Sequence, residues 1–422
     1  MDRSTGVDEA TAAADGQEPA AAADDGRWNR GDPSPRRFAR DRITWLAYGL
    51  LAYFAYLQAS LGPLMPFLRD ELGIDYGTAG LHFAAFALGS VVVGVLGNPA
   101  ARRWGRRPAL WIGAAGMAPG VALLVLGRDP VWTVAGAAVM GLFGAAVLVT
   151  DQAVLADHHR RWRGVALAEA NVAASVATIL ASTAVGAAER TGLGWRAAVL
   201  LPLLVPALLA ARWGRVPFPE ARRPRSAAGD AGRGRLPAAF WAYWAVLFLG
   251  IAAEWSVGLW GSEFLASGVG LTRADAASAL GVFFAAMVAG RVLGSRLARR
   301  ASVALLLPGS LLVALAGFPL FWLGPTPGLA VVGLAVFGLG IANVYPLGVA
   351  AATGAAPDLA DAASARLAIA GGGAGLSAPL ALGWLADRFG IGPAFGIAPV
   401  LLAGGLAAAL VARRVGGAPG AT

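Results

Sequence analysis

The chain has 422 residues, 57% hydrophobic and 14% charged, where a soluble domain has about half apolar and about a quarter charged residues. Its net charge is +9, yet it holds no lysine, so all 34 basic residues are arginine, and it holds no cysteine. These absences exclude the Walker lysine of a phosphate-binding loop, a Schiff-base lysine, disulfides, a thiol nucleophile and a thiolate metal site.

In chain order, residues 1–41 are polar, Ala/Gly-rich and without periodicity, the composition of a disordered tail. The tail begins acidic and no short apolar region follows, unlike a secretory signal. Its end, "PRRFAR" (Pro35–Arg40), reads as a basic flank that holds the first helix end in the cytoplasm. Twelve apolar blocks follow, near 43–64, 77–97, 108–127, 130–155, 164–188, 195–213, 237–263, 274–295, 303–323, 326–350, 362–384 and 392–412. Each is close to the ~20 residues that a helix needs to cross a ~30 Å hydrocarbon core. In lipid the backbone must satisfy its own hydrogen bonds, so the blocks are predicted as helices. Between the sixth and seventh, "GRVPFPEARRPRSAAGDAGRGRLP" (Gly214–Pro237) is a Pro/Gly/Arg-rich linker. The expected domains are a cytoplasmic tail 1–41, a six-helix bundle 42–213, a linker 214–236, a second six-helix bundle 237–413 and a short tail 414–422.

Arginine placement tests this count. With the N-terminus inside, the inner segments hold 26 arginines and the outer ones 6, while Arg291 and Arg366 lie within helices. That asymmetry predicts a multi-pass protein of the cytoplasmic membrane with both termini inside. It also accounts for the basic charge without nucleic acid. The inner loop before the eleventh block departs from the pattern, carrying acids instead.

Shifting the second half by 196–197 residues aligns it with the first. "GVLGNPAARRWG" (Gly94–Gly105) falls on "GRVLGSRLARRA" (Gly290–Ala301), "VMGLFGAAV" (Val139–Val147) on "VFGLGIANV" (Val336–Val344), and "VALAEANVA" (Val165–Ala173) on "ASARLAIAG" (Ala363–Gly371). Two parallel six-helix repeats are a transporter architecture with solute held near the midplane between them. The loop Asn98–Arg107 resembles the signature loop of the major facilitator superfamily, G-x-x-x-D-R-x-G-R-[RK]. Arg103, Gly105, Arg106 and Arg107 match; Asn98 replaces the first glycine and Arg102 the aspartate. "GLGIANVYPLG" (Gly338–Gly348) and "APLALGWLADRFG" (Ala378–Gly390) are also similar to that superfamily. The second contains Gly383…Asp387-Arg388-x-Gly390, but on the outer side, and reads as a secondary likeness. The resemblance spans roughly residues 43–413. It implies an all-α membrane protein of twelve transmembrane helices in two pseudo-symmetric six-helix bundles, working as an alternating-access carrier.

An ionisable group at the bilayer centre costs ~2.5–3.5 kcal/mol on insertion scales, which makes each one a functional candidate. Glu254, in "GIAAEWSVGLWGSEF", is the first: burial disfavours the charged form of a carboxyl, which suits proton exchange. Glu169 and Arg291 face each other in the implied architecture, so an ion pair closing the cytoplasmic gate is expected, with Glu169–Arg366 as the alternative. Asp151 is expected to anchor the loop arginines. In the superfamily the missing aspartate would favour the start of the eleventh helix. Here Arg102, Arg103, Arg106 and Arg107 face an entry carrying Asp358 and Asp361, so the latch is expected with its charges reversed. Tyr56, Gln58, Asn171, Trp255, Asn343 and Tyr345 are the cavity candidates. "DHHRR" (Asp157–Arg161) reads as a solvated loop rather than a metal site, and His82 is open between core and function.

The expected function is secondary transport of a small organic solute, proton-coupled, by a monomer in lipid, with no cofactor, metal or nucleic acid. A facilitative carrier and a drug/proton antiporter are alternatives, the latter disfavoured because the fifth block lacks a G-x-x-x-G-P pattern. A membrane enzyme or a solute sensor is more remote: three histidines and short outer loops do not build an active-site constellation. A sugar, a drug-like compound and an organic acid all remain open as solutes.

Overall fold

The computed structural model describes residues 38–96, 99–218 and 235–416, except the side chains of residues 95, 96, 99, 100, 102, 360 and 361. Twelve helical crossings run through the described residues. They are α1 (Arg42–Leu72), α2 (Tyr76–Leu96), α3 (Arg106–Leu126), α4 (Pro130–His159), α5 (Arg163–Arg190), α6 (Trp195–Leu200 continuing into Leu204–Trp213), α7 (Ala238–Ser267), α8 (Arg273–Leu297), α9 (Val303–Leu323), α10 (Pro327–Ile341 and Val344–Gly354), α11 (Ala360–Phe389) and α12 (Ile391–Ala394 and Ile397–Gly416). A short helix, Pro99–Trp104, lies between α2 and α3. Ten stretches are long and apolar enough to span a membrane; one of them, Pro130–Arg190, contains both α4 and α5. Helix α1 is diluted by Tyr48, Tyr53, Tyr56, Gln58 and Ser60.

Local chemistry sets many of the helix starts. Asp41 caps α1 by accepting from Thr44 N at 3.0 Å, and Asp75 does the same for α2 from Thr78 N at 2.7 Å. Asp129 and Thr326 cap α4 and α10, each followed by proline, whose missing N–H costs nothing in a first turn. Thr272 accepts from Asp275 N at 3.1 Å to open α8. Helix α1 ends on Gly73, whose φ of 62° is the left-handed conformation that glycine tolerates.

Three expected boundaries move. Helix α1 continues through Pro63 and Pro66 to Leu72, eight residues past the apolar block, and α11 continues to Phe389. Their last turns carry Arg69, Asp70, Glu71, Asp387 and Arg388, polar residues that end a hydropathy block without ending a helix. The expected tail gives up its last residues: Phe38 packs its ring 4.9 Å from His159, and Arg40 and Asp41 bond to the first half of the chain. The remainder of that tail (1–37), Gly97, Asn98, most of the linker (219–234) and the last six residues lie outside the described residues.

The end where α1 begins is termed near, and the end where it finishes far. Odd-numbered helices run from near to far and even-numbered ones back. Between the halves, α1 packs on α7, α5 on α8 and α2 on α11. Glycine permits close approach at these packings: a Cβ on Gly186 of α5 would lie 2.3 Å from Ala274 O of α8, and one on Gly62 of α1 2.5 Å from the Gly258 carbonyl oxygen of α7.

Candidate functional site

The α1–α7 and α5–α8 packings, with Leu148 of α4, enclose a cavity of about 310 Å³. Toward the far end it is floored by Leu259 and Phe283, 7% and 0% exposed, with Trp260 buried beneath. Toward the near end its lining residues Asn171 and Arg291 are exposed. Leu51, Phe54, Phe284 and Met287 form apolar walls. The polar lining comes from α1 (Gln58), α5 (Asn171, Ser175, Thr178), α7 (Glu254, beside Trp255) and α8 (Arg291). Glu254 and Arg291 are the charged groups of that lining, close enough to act on each other electrostatically.

Thus Glu254, Arg291, Gln58, Asn171 and Trp255 meet in one cavity, and the other expected lining residues do not. Tyr56 turns away from it and donates to Ala198 O of α6 at 2.8 Å. Residues two apart on a helix point about 200° apart, so Tyr56 and Gln58 cannot share one face. Asn343 sits at the break of α10 and donates to Gly290 O of α8 at 2.8 Å, holding two helices together. Tyr345 is 52% exposed and outside the cavity lining.

The near end differs from expectation. Glu169 pairs with neither Arg291 nor Arg366: it accepts from Arg40 Nη2 at 2.5 Å and Nε at 2.7 Å, and from Tyr48 at 3.1 Å. Helices α5 and α8 are joined at the far end, where Arg190 meets Asp275 at 3.2 Å, and Arg291 lies in the cavity. Arg366 exposes its side chain, while its carbonyl accepts from Trp244 at 2.8 Å. Asp151 does not anchor the loop arginines. Helix α4 extends two turns beyond it, and its carboxylate is fully buried with both oxygens unbonded. The anchor is Asp157, 2.6 Å from Arg106. Arg107 donates to Gly214 O at the end of α6, and Arg103 lies over Trp104. Asp358 is exposed. The side chains of Arg102 and Asp361 lie outside the described residues; of the rest of the expected latch, Arg103, Arg106 and Arg107 are engaged elsewhere and Asp358 is exposed.

Asp41, His158 and His159 converge, their possible ligand atoms within 4.8 Å of one another. Each is occupied: His158 Nε2 lies 2.6 Å from Asp41 and His159 Nε2 2.7 Å from the Thr44 hydroxyl. Burial pushes the Asp41 carboxyl up, but the bonds from Thr44 and His158 outweigh it and leave it below the ordinary carboxylate range. His82 is a satisfied core residue, bonded to Thr78 O and to the Thr133 hydroxyl.

The far end holds a set of polar links that the sequence reading passed over. Glu263 of α7, 1% exposed, receives Arg69 of α1 and, at 3.0 Å, the Ser267 hydroxyl. The Arg69 guanidinium lies 3.7 Å from the Tyr76 ring centroid. Ser262 donates to Gly62 O at 2.8 Å. Asp387 of α11 accepts from Tyr76 N and Gly77 N of α2, both at 2.7 Å, a carboxylate on the positive end of a helix. Arg273 pairs with Asp70 at 2.8 Å. A signal for the first pair was present: Arg69 and Glu263 are 194 residues apart, nearly the repeat offset, so they end equivalent helices. The signal for Asp387 was the motif-like Gly383…Gly390 segment itself.

The sequence profile of the Major Facilitator Superfamily matches residues 44–379. An uncharacterised MFS-type transporter of Yersinia pestis is 27% identical over 358 residues, 82% of this chain and 89% of that one. Among solved structures, a bacterial homologue of the human lysosomal transporter Spinster, in an inward-facing, unoccupied conformation, has a TM-score of 0.73 at 14% identity, covering 90% of this chain and 98% of that one. A point mutant of the nucleoside transporter NupG has a TM-score of 0.72 at 13% identity, covering 89% and 100%. A D-xylose–proton symporter has a TM-score of 0.68 at 16% identity, covering 89% and 97%. The chain belongs to the major facilitator superfamily, as a multi-pass secondary transporter of a small-molecule solute and not an enzyme.

Proposed function

We propose that the protein carries a small organic solute by alternating access, coupled to protons at Glu254. One observation carries this reading: a carboxyl and a guanidinium share a cavity between the two halves whose other lining groups are uncharged. The cavity opens toward the near end and is sealed at the far end, as one half-cycle of alternating access requires. The bundles 42–213 and 237–413 are the moving bodies, joined through the linker 214–236. The arginine distribution supports a cytoplasmic near end, and hence an inward-facing state. The fold is compatible with proton drive, since one similar structure is a proton symporter. A single chain suffices as the working unit, because both walls of the cavity come from it. In the outward-facing half-cycle the near ends close, and Arg103, Arg106 and Arg107 then come within reach of Asp358. Reconstitution into proteoliposomes tests coupling: an imposed proton gradient drives solute accumulation in the wild type and fails to in Glu254→Gln, while solute exchange persists. Unchanged gradient-driven accumulation in Glu254→Gln removes Glu254 from the coupling role.

A further inference from the structure

The cavity is poor in free hydrogen-bond donors. Asn171 spends one amide N–H on Leu167 O at 2.8 Å, Ser175 its hydroxyl on Asn171 O at 2.8 Å, and Thr178 its hydroxyl on Ser175 O at 2.7 Å. Each of these partners is on the same helix, α5. What is left for a solute is one Asn171 N–H, the Gln58 amide, the Trp255 indole and the Arg291 guanidinium. A polyol, which needs donors and acceptors around its whole surface, meets mostly apolar wall. A planar anionic group meets a guanidinium fork that matches it in geometry and charge. The aromatic walls accept an apolar body.

Resting on the reading of this cavity as the solute site, we propose that its solute is a small organic monoanion with an apolar body, held by Arg291, and that one proton on Glu254 accompanies each anion. The coupling follows from charge balance once the cavity closes off from water. The empty cavity holds Arg291 with a positive and Glu254 with a negative charge, and is neutral. The cavity with anion bound and Glu254 protonated is neutral again. Anion without proton leaves one net negative charge, proton without anion one net positive, and either is expensive to enclose. The two forms that can close are therefore empty and doubly loaded. The proton passes from water to the Glu254 carboxylate on entry and back on release, and no bond in the solute changes. Other helices packed on α7 bring no competing charge near Glu254. Helix α1 offers Gln58, and the α11 stretch against Phe248, Ile251 and Trp255, Gly371–Gly375, holds no titratable group. Leu249 meets Gly404 and Gly405 of α12, and Gly250 and Leu247 meet Val344 and Gly348 of α10. The nearest titratable side chain on that part of α10, Tyr345, lies outside the cavity lining.

The test uses the full chain in proteoliposomes with four probes of one size class: benzenesulfonate, a permanent anion; benzenesulfonamide, its neutral isostere; benzyltrimethylammonium, a permanent cation; and glucose. Counterflow, which needs no gradient, reads the solute class. Benzenesulfonate should exchange, and the other three should match protein-free vesicles. Arg291→Gln should lose exchange at least 20-fold, with Arg291→Lys intermediate. An inward proton gradient should concentrate benzenesulfonate, and a potassium-valinomycin membrane potential should not change that accumulation. Exchange of the amide, the cation or glucose in place of benzenesulfonate overturns the anion class, as does full exchange in Arg291→Gln. Accumulation that follows membrane potential overturns the paired movement of charge. If benzenesulfonate exchanges but neither the proton gradient nor Glu254→Gln alters its flux, the anion class stands and the coupling role of Glu254 falls. The wild-type panel decides the class even if a variant does not fold.

Discussion

The two ends of this protein use polar residues in opposite ways. At the far end five polar links cross from half to half, beside the pair Arg196–Glu71 within the first half: Arg69 to Glu263, Ser262 to Gly62, Asp387 to the start of α2, Arg190 to Asp275, Arg273 to Asp70. At the near end Arg40, Arg106, Arg107 and His158 bond inside the first half. The far-end links therefore hold the two halves to each other, whereas these near-end bonds hold one half together. The positive-inside rule records where the arginines are and is silent on this distinction.

Breaking the far-end contacts is the most direct challenge to that comparison. Gly62→Val places a branched side chain where even a Cβ would lie 2.5 Å from Gly258 O, so the far end cannot close as it does here. Transport should fall by more than tenfold, and spin labels across the far end should read a longer distance; the chain lacks cysteine, so labelling sites can be introduced singly. Glu263→Gln is next. Removing one partner of a buried pair costs ~3–5 kcal/mol, and with a fifth of Arg69 exposed the effect here is about 1.5–3 kcal/mol. That shifts the population toward far-open by tenfold or more, read as faster labelling of a far-end cysteine, and Arg106→Gln at the near end should leave that rate unchanged. If both variants shift labelling equally, the contrast between the ends is wrong. Asp387→Ala removes a carboxylate from a helix start, a change worth about 1 kcal/mol, and should move the same labelling rate less than Glu263→Gln does.

The smallest effect concerns pH. Bonds from Thr78 hold the Asp75 carboxyl below its ordinary value. Its folded pKa is depressed, so its stabilisation is present above the unfolded carboxylate range and is lost as pH falls through the folded value. Asp75→Ala should cost about 1 kcal/mol at pH 7 in a thermal unfolding series, and the gap between variant and wild type should narrow in acid.

The crossings were legible because lipid leaves a chain few choices: twelve apolar runs predict twelve helices. Glu254, Gln58, Asn171 and Trp255 stand out for the same reason, as polar or amphipathic residues inside apolar runs; Arg291 stands out too, but was expected at the gate with Glu169 and lies in the cavity instead. Their partners were not legible. Glu169 was paired on paper with Arg291 across the interface, but Arg40 is reached first, from a segment whose composition reads as tail. Tyr56 and Gln58 look alike in the sequence, and helical phase sends one to Ala198 and the other to the cavity. Glu263 and Asp387 were passed over because hydropathy ends a block at the first charges, and these charges sit in the last turns of helices that continue.

The ties of Arg106 to Asp157 and of Arg107 to Gly214 have a mechanical meaning. They join the start of α3 to the ends of α4 and α6, so in the proposed alternating-access cycle the near rim of the first half would turn as one arm. The tight crossing of Gly62 on Gly258 is the natural fulcrum for that arm. By helix rise, the start of α1 lies about 30 Å from this point, so a tilt of about 10° sweeps the rim through about 5 Å. A loose rim would dissipate such a stroke; in that cycle the arginine hairpin would deliver it whole.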